Sequence, residues 1–496
     1  MSQAQHSPPM LSSGIAGLDD ILRGGFARDR LYLIEGAPGS GKTTLALQFL
    51  MEGAKQSERV LYITLSESKA ELETVAAAHK WSLAGIDVHE VLPSENMLNP
   101  EEQYSIFHPS DVEMSATMQN ILAVVEKMRP QRVVLDSLSE LQLLASNPLI
   151  YRRHVLALKQ YFATRACTTL LLDDRTTGNG DLQVRSVAHA VLSLERLLTD
   201  YGGMRRRLEV VKYRGVQFRE GMHDYKIRQG GLIVYPQLVA AESRGMVEQR
   251  RFSSGLEELD TLLGGGIEEG TSTLIAGPPG CGKSTLAAQF TAASLRREEY
   301  AAVFLFEESA STFLNRTDGI GFPLRPALST GRLSVIQIDP AQWAPGEFVH
   351  KVCHVADQGA KVIVIDSLNG FLQAMPNERQ LITQLHELLT YLGQRGVITF
   401  LIGVQHGMMG ANVSSAVDAS YLADNVIQLR YFEADGEVRQ AISVIKKRTG
   451  YHERTIRPMS ISTDGIQVGP ALRQFRGVLT GVPTLAGGYS DGDSHD

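Results

Sequence analysis

Cysteine is scarce in this chain. Cys167, Cys281 and Cys353 are all it has in 496 residues, too few and too scattered for a disulfide framework or a zinc site. Positive charge is not in excess either. Lys and Arg number 48 against 55 Asp and Glu, a formal net charge of −7, which argues against a protein built to neutralise phosphate backbones. Nucleic acid is therefore not an expected partner, although a local basic groove stays open. No apolar run approaches the ~20 residues needed to cross a bilayer, and the opening MSQAQHSPPM lacks the apolar centre of a signal peptide. A reduced, cytoplasmic protein with no membrane association is expected. What is there is ordinary for a globular chain, 43% hydrophobic and 21% charged. The length calls for more than one core.

The chain is written twice. SSGIAGLDDILRGGFARDRLYLIEGAPGSGKTTLALQFL (12–50) aligns without a gap to SSGLEELDTLLGGGIEEGTSTLIAGPPGCGKSTLAAQFT (253–291), at an offset of 241. The match runs well upstream of any short motif, so a whole domain is duplicated. Each copy continues with apolar runs ending in acid: RVLYITLSES (59–68) and AAVFLFEES (301–309), then RVVLDSL (132–138) and KVIVIDSL (361–368). TTLLLDD (168–174) and VITFLIGVQ (397–405) follow, then LEVVKYR (208–214) and AISVIKKR (441–448). Helical stripes lie between them, Met114, Met118, Ile121, Leu122 and Val125 in one copy, Leu381, Leu385, Leu388 and Leu392 in the other. Apolar strands alternating with helices predict an α/β fold, two tandem P-loop domains, each a mostly parallel sheet flanked by helices. The expected division is an N-terminal domain over 1–240, a linker over 241–252, a C-terminal domain over 253–484 and a polar, acidic tail over 485–496.

GAPGSGKT (36–43) and GPPGCGKS (277–284) both satisfy G-x-x-x-x-G-K-[ST], and each follows an apolar strand and opens a helix. The backbone of Gly36, Gly39, Ser40, Gly41 and Thr44, and of Gly277, Gly280, Cys281, Gly282 and Thr285, is expected to wrap ATP phosphates at a helix N-terminus. Lys42 and Lys283 reach the β- and γ-phosphates, while Thr43 and Ser284 place hydroxyls on Mg2+. Asp136 and Asp366 end their strands where an acid supports that metal; the plainer alternative is a strand-terminating Asp. Hydrolysis or transfer also needs a carboxylate to orient or deprotonate the nucleophile. Glu307 and Glu308 stand where such a group belongs, whereas the first copy has Ser66 and Glu67. The first site therefore works through Glu67 or is slow, and loop capping is the bland alternative for all these acids.

Two tandem RecA-like domains with this opening, the Glu307–Glu308 pair, the IDSL strand and the KYRG and IKKR segments resemble the KaiC family from about Ser12 to Thr484. The resemblance implies a homohexamer of two stacked rings, ATP between neighbouring subunits, ATP hydrolysis and serine/threonine autophosphorylation. It assigns Lys212 and Arg214, and Lys446 and Arg448, to the pair that reaches a neighbour's nucleotide; taken alone, Lys-x-Arg on a strand reads as a solvated face. Arg205, Arg206 and Arg207 gain no such support and are expected to be surface or interface charge. In the family's acceptor segment, here GANVSSAVDASYLADN (410–425), Ser420 matches the acceptor serine, Tyr421 stands where threonine is expected, and Ser415 meets an upstream threonine. Single-site phosphorylation on Ser420 is expected rather than an ordered two-site cycle. Twelve residues follow Thr484, so the family's partner-recruiting C-terminal extension is expected to be mostly absent. That points to signalling control with a KaiB-like partner rather than a complete clock. Two other readings compete: a motor on single-stranded DNA, which needs a basic, aromatic-bearing channel that the sequence does not display, and a nucleotide-gated scaffold with an inactive first site.

Overall fold

Strands buried on both faces have no side to give to water, so the unbroken apolar runs settle at the centre of a sheet. The computed structural model describes residues 9–91, 109–145, 147–174, 181–198, 202–242, 245, 250–373, 381–404, 420–480 and 484–485. Ser415 and the stretch 405–419 lie outside the described residues. The chain divides into two compact units, 1–237 and 238–496. Residues 238–242 go with the second unit, where the Ala240 amide donates to Glu387 Oε2 at 2.8 Å.

Each unit holds a nine-stranded sheet of the same topology among the described residues. In the first, Leu31–Gly36, the strand before the phosphate loop, lies between Thr168–Asp174 and Ala190–Leu197, all three parallel. Arg132–Asp136, Val60–Thr64 and Asp87–Glu90 extend the parallel part on one side. Arg205–Tyr213, Met222–Arg228 and Gly231–Tyr235 extend it antiparallel on the other. The second unit repeats this with Ser272–Gly277 between Ile398–Val404 and Asn425–Ala434. Of the antiparallel edge strands only the segments LEVVKYR and AISVIKKR are apparent in the sequence, because others such as Met222–Arg228 are half-buried and interrupted by polar or charged residues. The edge strand Arg205–Tyr213 corrects the reading of the arginine triple: Arg205 is buried, and Arg207 Nε lies 3.5 Å from Asp224 Oδ1.

Period-two alternation splits each central strand between two cores. Tyr32 and Ile34 meet Leu45, Phe49 and Leu50 of the helix Lys42–Lys55. Leu31 and Leu33 face the other way, toward Met114, Ile121 and Val125 of Pro109–Met128 and Phe162 of Pro148–Thr164. In the second unit Ile275 packs with Leu286 and Phe290, while Leu274 joins Leu385, Leu388 and Leu392 of the helix Leu381–Gln394. The helical stripes are thus core. These cores hold the phosphate loops on rigid elements, since interiors packed to crystal density deform little.

Candidate functional site

Both phosphate loops end in glycines at positive φ, Gly41 at 99° and Gly282 at 94°, which cap the helices Lys42–Lys55 and Lys283–Arg296. A side chain would be strained there, so the loop backbone can turn its N–H groups toward a phosphate. In the second unit Gly280, Gly282, Lys283, Ser284 and Thr285 line a cavity of about 280 Å³ together with Glu307, Glu308, Arg316, Asp366 and Ile461. Lys283 Nζ donates to the Pro278 carbonyl at 2.7 Å, and burial pushes its ammonium down from the usual lysine range. Burial pushes Asp366 up to about 6, opposed by a hydrogen bond from Ser284. A buried carboxyl beside a hydroxyl, short of positive charge, fits the second shell of a Mg2+ held by Ser284. Glu307 Oε1 accepts from Ser367 Oγ at 2.5 Å, and Glu308 Oε1 pairs with Arg316 Nη2 at 2.5 Å. Cys281 is fully buried among core residues, and burial raises its thiol.

The first site uses the same scaffold with different neighbours. Thr43 Oγ1 lies 3.4 Å from Asp136 Oδ2, which also accepts from the buried Tyr62 hydroxyl at 2.5 Å. Lys42 Nζ donates to the Gly36 carbonyl at 2.9 Å and pairs with Asp174 Oδ1 at 2.6 Å. Burial raises Glu67, then Asp136, Glu71 and Asp174 add to it, and Glu67 Oε2 is buried without a hydrogen-bond partner. Burial likewise raises Asp136. The Ser40 hydroxyl, at the position of Cys281, is buried, while its carbonyl accepts from Tyr225 at 2.6 Å. Thr44 is buried in the first helical turn.

The Lys-x-Arg pairs do not join their own phosphate loops. Lys446 pairs in register with Val426, level with Leu274, and the Arg448 amide donates to Asp424, whose own amide donates to Ser272. Five residues of strand separate Ser272 from Gly277, about 17 Å at ~3.3 Å per residue. There Lys446 Nζ holds the carbonyls of Ser420 at 2.9 Å and Ala423 at 2.7 Å. Arg448 Nη2 holds the Tyr421 carbonyl at 2.8 Å. Ser420 is half-buried and the Tyr421 side chain is exposed. In the first unit Arg214 Nη2 holds the equivalent Ser186 carbonyl at 2.6 Å, and Lys212 pairs in register with Val191. Counting back one residue from these matched contacts, Arg185 stands where Ser420 does, and it forms a bidentate pair with the fully buried Glu35.

Sequence reasoning brings the lysines, hydroxyls and strand-end acids together but misses four residues that touch them: Tyr62, Asp174, Arg316 and Ser367. Asp174 was legible as the acid ending TTLLLDD. Arg316 lies eight residues beyond Glu308, in the helix Ala310–Gly319 that follows it.

The sequence model of the KaiC ATPase family matches residues 11–239 and again 252–473. The circadian clock oscillator protein KaiC of Parathermosynechococcus lividus is 27% identical over 96% of this chain and 88% of its own length. The protein of the same name from Synechococcus elongatus is 26% identical over 95% and 91%. Two sheets of one topology, each with a phosphate loop at its centre, and a family match that spans the chain twice agree: the chain belongs to the KaiC ATPase family.

Proposed function

We propose that this protein is an ATP- and Mg2+-dependent ATPase that assembles as a homohexamer of two stacked rings and transfers phosphate from its C-terminal site to Ser420. The observation that carries this reading is the separation within one unit. The phosphate-loop cavity, with Lys283, Glu307, Glu308 and Asp366, opens at one end of the sheet, and Lys446, Arg448 and the Ser420 turn stand at the other. One copy cannot bring its own cations or acceptor to its own nucleotide. A second copy set head to tail can, and head-to-tail contacts that close generate rings.

In this reading Lys283 and the loop amides bind the phosphates, and Mg2+, held through Ser284 and Asp366, supplies charge against the β- and γ-oxygens. Lys446 and Arg448 of a neighbour add the cations that stabilise charge on the transferring group. The nucleophile, water or the Ser420 hydroxyl, gives its proton to the glutamate pair. The acceptor position of the first unit is an arginine tied to Glu35, so transfer is a property of the second unit alone. Lys212 and Arg214 serve the first ring in the same way, and Glu67 is the carboxylate of its site. We further propose cytoplasmic regulation through a KaiB-like partner. Curated relatives bear circadian clock names, and Tyr421 puts a longer, phenolic hydroxyl where that pattern has threonine.

Incubation with γ-labelled ATP and Mg2+, followed by mapping of the label, tests this. Label is expected on Ser420 and is lost in Ser420→Ala and Lys283→Ala. Label that survives Lys283→Ala, or hydrolysis without any label, overturns the assignment of kinase activity to the second site.

A further inference from the structure

The two copies differ at their glutamates in a way that the shared helix makes measurable. Ser68 caps Lys69–Ala78 and Ser309 caps Ala310–Gly319, and both helices begin 241 residues apart. That register aligns Ser66 with Glu307, Glu67 with Glu308 and Val75 with Arg316. Only the second copy therefore has a cation at this position of the helix, and only the second copy has two adjacent glutamates before it. Arg316 Nη2 engages Glu308 Oε1 at 2.5 Å with both side chains about three-quarters covered, 30% and 24% exposed. Arg316 also lies against the Phe313 ring, its Cζ 5.4 Å from the centroid, which restricts the guanidinium to this side of the helix. Glu307 is engaged by a hydroxyl instead: Ser367 Oγ donates to its Oε1, and the Gly370 amide donates to that Oγ at 3.0 Å.

We infer that Arg316 is a positioning residue of the second ATP site, which by binding Glu308 removes it from proton transfer and leaves Glu307 as the general base. This rests on the reading of the cavity as a hydrolytic ATP site. In the step itself the water oxygen forms a bond to the γ-phosphorus. The bond from that phosphorus to the bridging oxygen breaks, and its electron pair leaves with ADP. The water proton passes to Glu307 through Oε2, the oxygen that Ser367 does not engage. Glu308, held by two helical turns and an aromatic face, shapes the wall of the cavity. The first site has neither Arg316 nor the first glutamate, so there the proton falls to Glu67, at the position that the second site has retired.

Steady-state hydrolysis by the full chain carrying Lys42→Ala isolates the second site. Glu307→Gln is expected to lower kcat by about 100-fold or more, the scale of a lost general base. Arg316→Val, which copies the first unit, is expected to lower kcat by about tenfold with KM for ATP within about twofold, because a base is disturbed and no nucleotide contact is lost. Arg316→Lys restores part of that loss. The deciding measurement is Arg316→Val in a Glu308→Gln background, where it is expected to have no further effect, since the two act through one pair. An equal loss in that background, a rise in KM alone, or no loss at all overturns the inference. A parent Lys42→Ala protein that hydrolyses nothing removes the hydrolytic reading, and this inference with it.

Discussion

Asp174 occupies the hand that the first site would extend to ATP. Its Oδ1 lies 2.6 Å from Lys42 Nζ, with the lysine 8% and the aspartate 33% exposed. Lys42 cannot give the same donor to this carboxylate and to a γ-phosphate. At the aligned strand position the second copy has an apolar residue: Asp174 pairs in register with Gly36, and the residue paired with Gly277 is Val404. A hydrogen bond between charged groups contributes about 1.5–3 kcal/mol, and solvent on the aspartate reduces that to about 1–2 kcal/mol here. Asp174→Asn removes the charge and keeps the shape, while the backbone hydrogen bond from the Asp174 amide to Ser139 Oγ at 3.0 Å survives. It also relieves Asp136 and Glu67, both of which Asp174 pushes up. The first site should therefore bind ATP about 5–30 times more tightly, 1–2 kcal/mol converted to a ratio of dissociation constants. Titration with a fluorescent ATP analogue, in the full chain carrying Lys283→Ala, reads this site alone. Unchanged or weaker binding by Asp174→Asn would refute the competition and make Asp174 part of the binding site.

Other consequences follow from the same contacts. Arg185→Ala removes the bidentate partner of the fully buried Glu35, which is expected to destabilise the first unit by about 3–5 kcal/mol in urea denaturation. The double change Glu35→Ala with Arg185→Ser, which copies Ala276 and Ser420, should recover most of that loss. His189 is lowered from 6.5 to about 4, first by burial and then by Arg30, Arg214, Lys159 and Lys212. The unfolded chain then binds the proton at a pH where the fold does not, so stability falls as pH drops from 6.5 toward 4. With the group half in solvent the loss is about 1 kcal/mol, and His189→Gln should flatten that part of the pH–denaturation profile. In the core, Phe290 lies against Phe400 with centroids 4.5 Å apart, and Phe290→Ala is expected to cost about 3–5 kcal/mol in the same assay.

What could be read from the sequence was whatever one strand and the loop after it decide. The apolar run, the glycines and the Lys-Thr or Lys-Ser of each phosphate loop are contiguous, and the acid ending the next strand needs only the strand boundary. The parallel core follows from these. Contacts between elements distant in sequence were not legible. Tyr62 reaches Asp136 across 74 residues and Asp174 reaches Lys42 across 132, because neighbouring strands bring their ends to one edge. Neither residue is marked as special by its own surroundings. The Lys-x-Arg pairs show the reverse case. The resemblance implied contact with a neighbour's nucleotide, which no strand of one copy marks, and the register of Lys446 with Val426 removes their own nucleotide from reach.

Duplication makes these differences interpretable, since each copy is a control for the other in the same backbone. At five aligned positions around the proposed sites the two copies carry residues of different chemistry. Arg185 bound to Glu35 stands at the acceptor position, where the second copy has Ser420 and Ala276. Asp174 engages the loop lysine where the second copy has Val404. Ser66 replaces one glutamate, and Val75 replaces the arginine that engages the other. The first site keeps its phosphate loop, its hydroxyl and its strand-end acid, so it still binds nucleotide, against competition from Asp174, and loses what fast transfer needs. On that argument the first unit should turn nucleotide over slowly. In the full chain, Lys283→Ala should therefore leave slow hydrolysis, and Lys42→Ala should leave the faster activity; the opposite order of rates would end the argument.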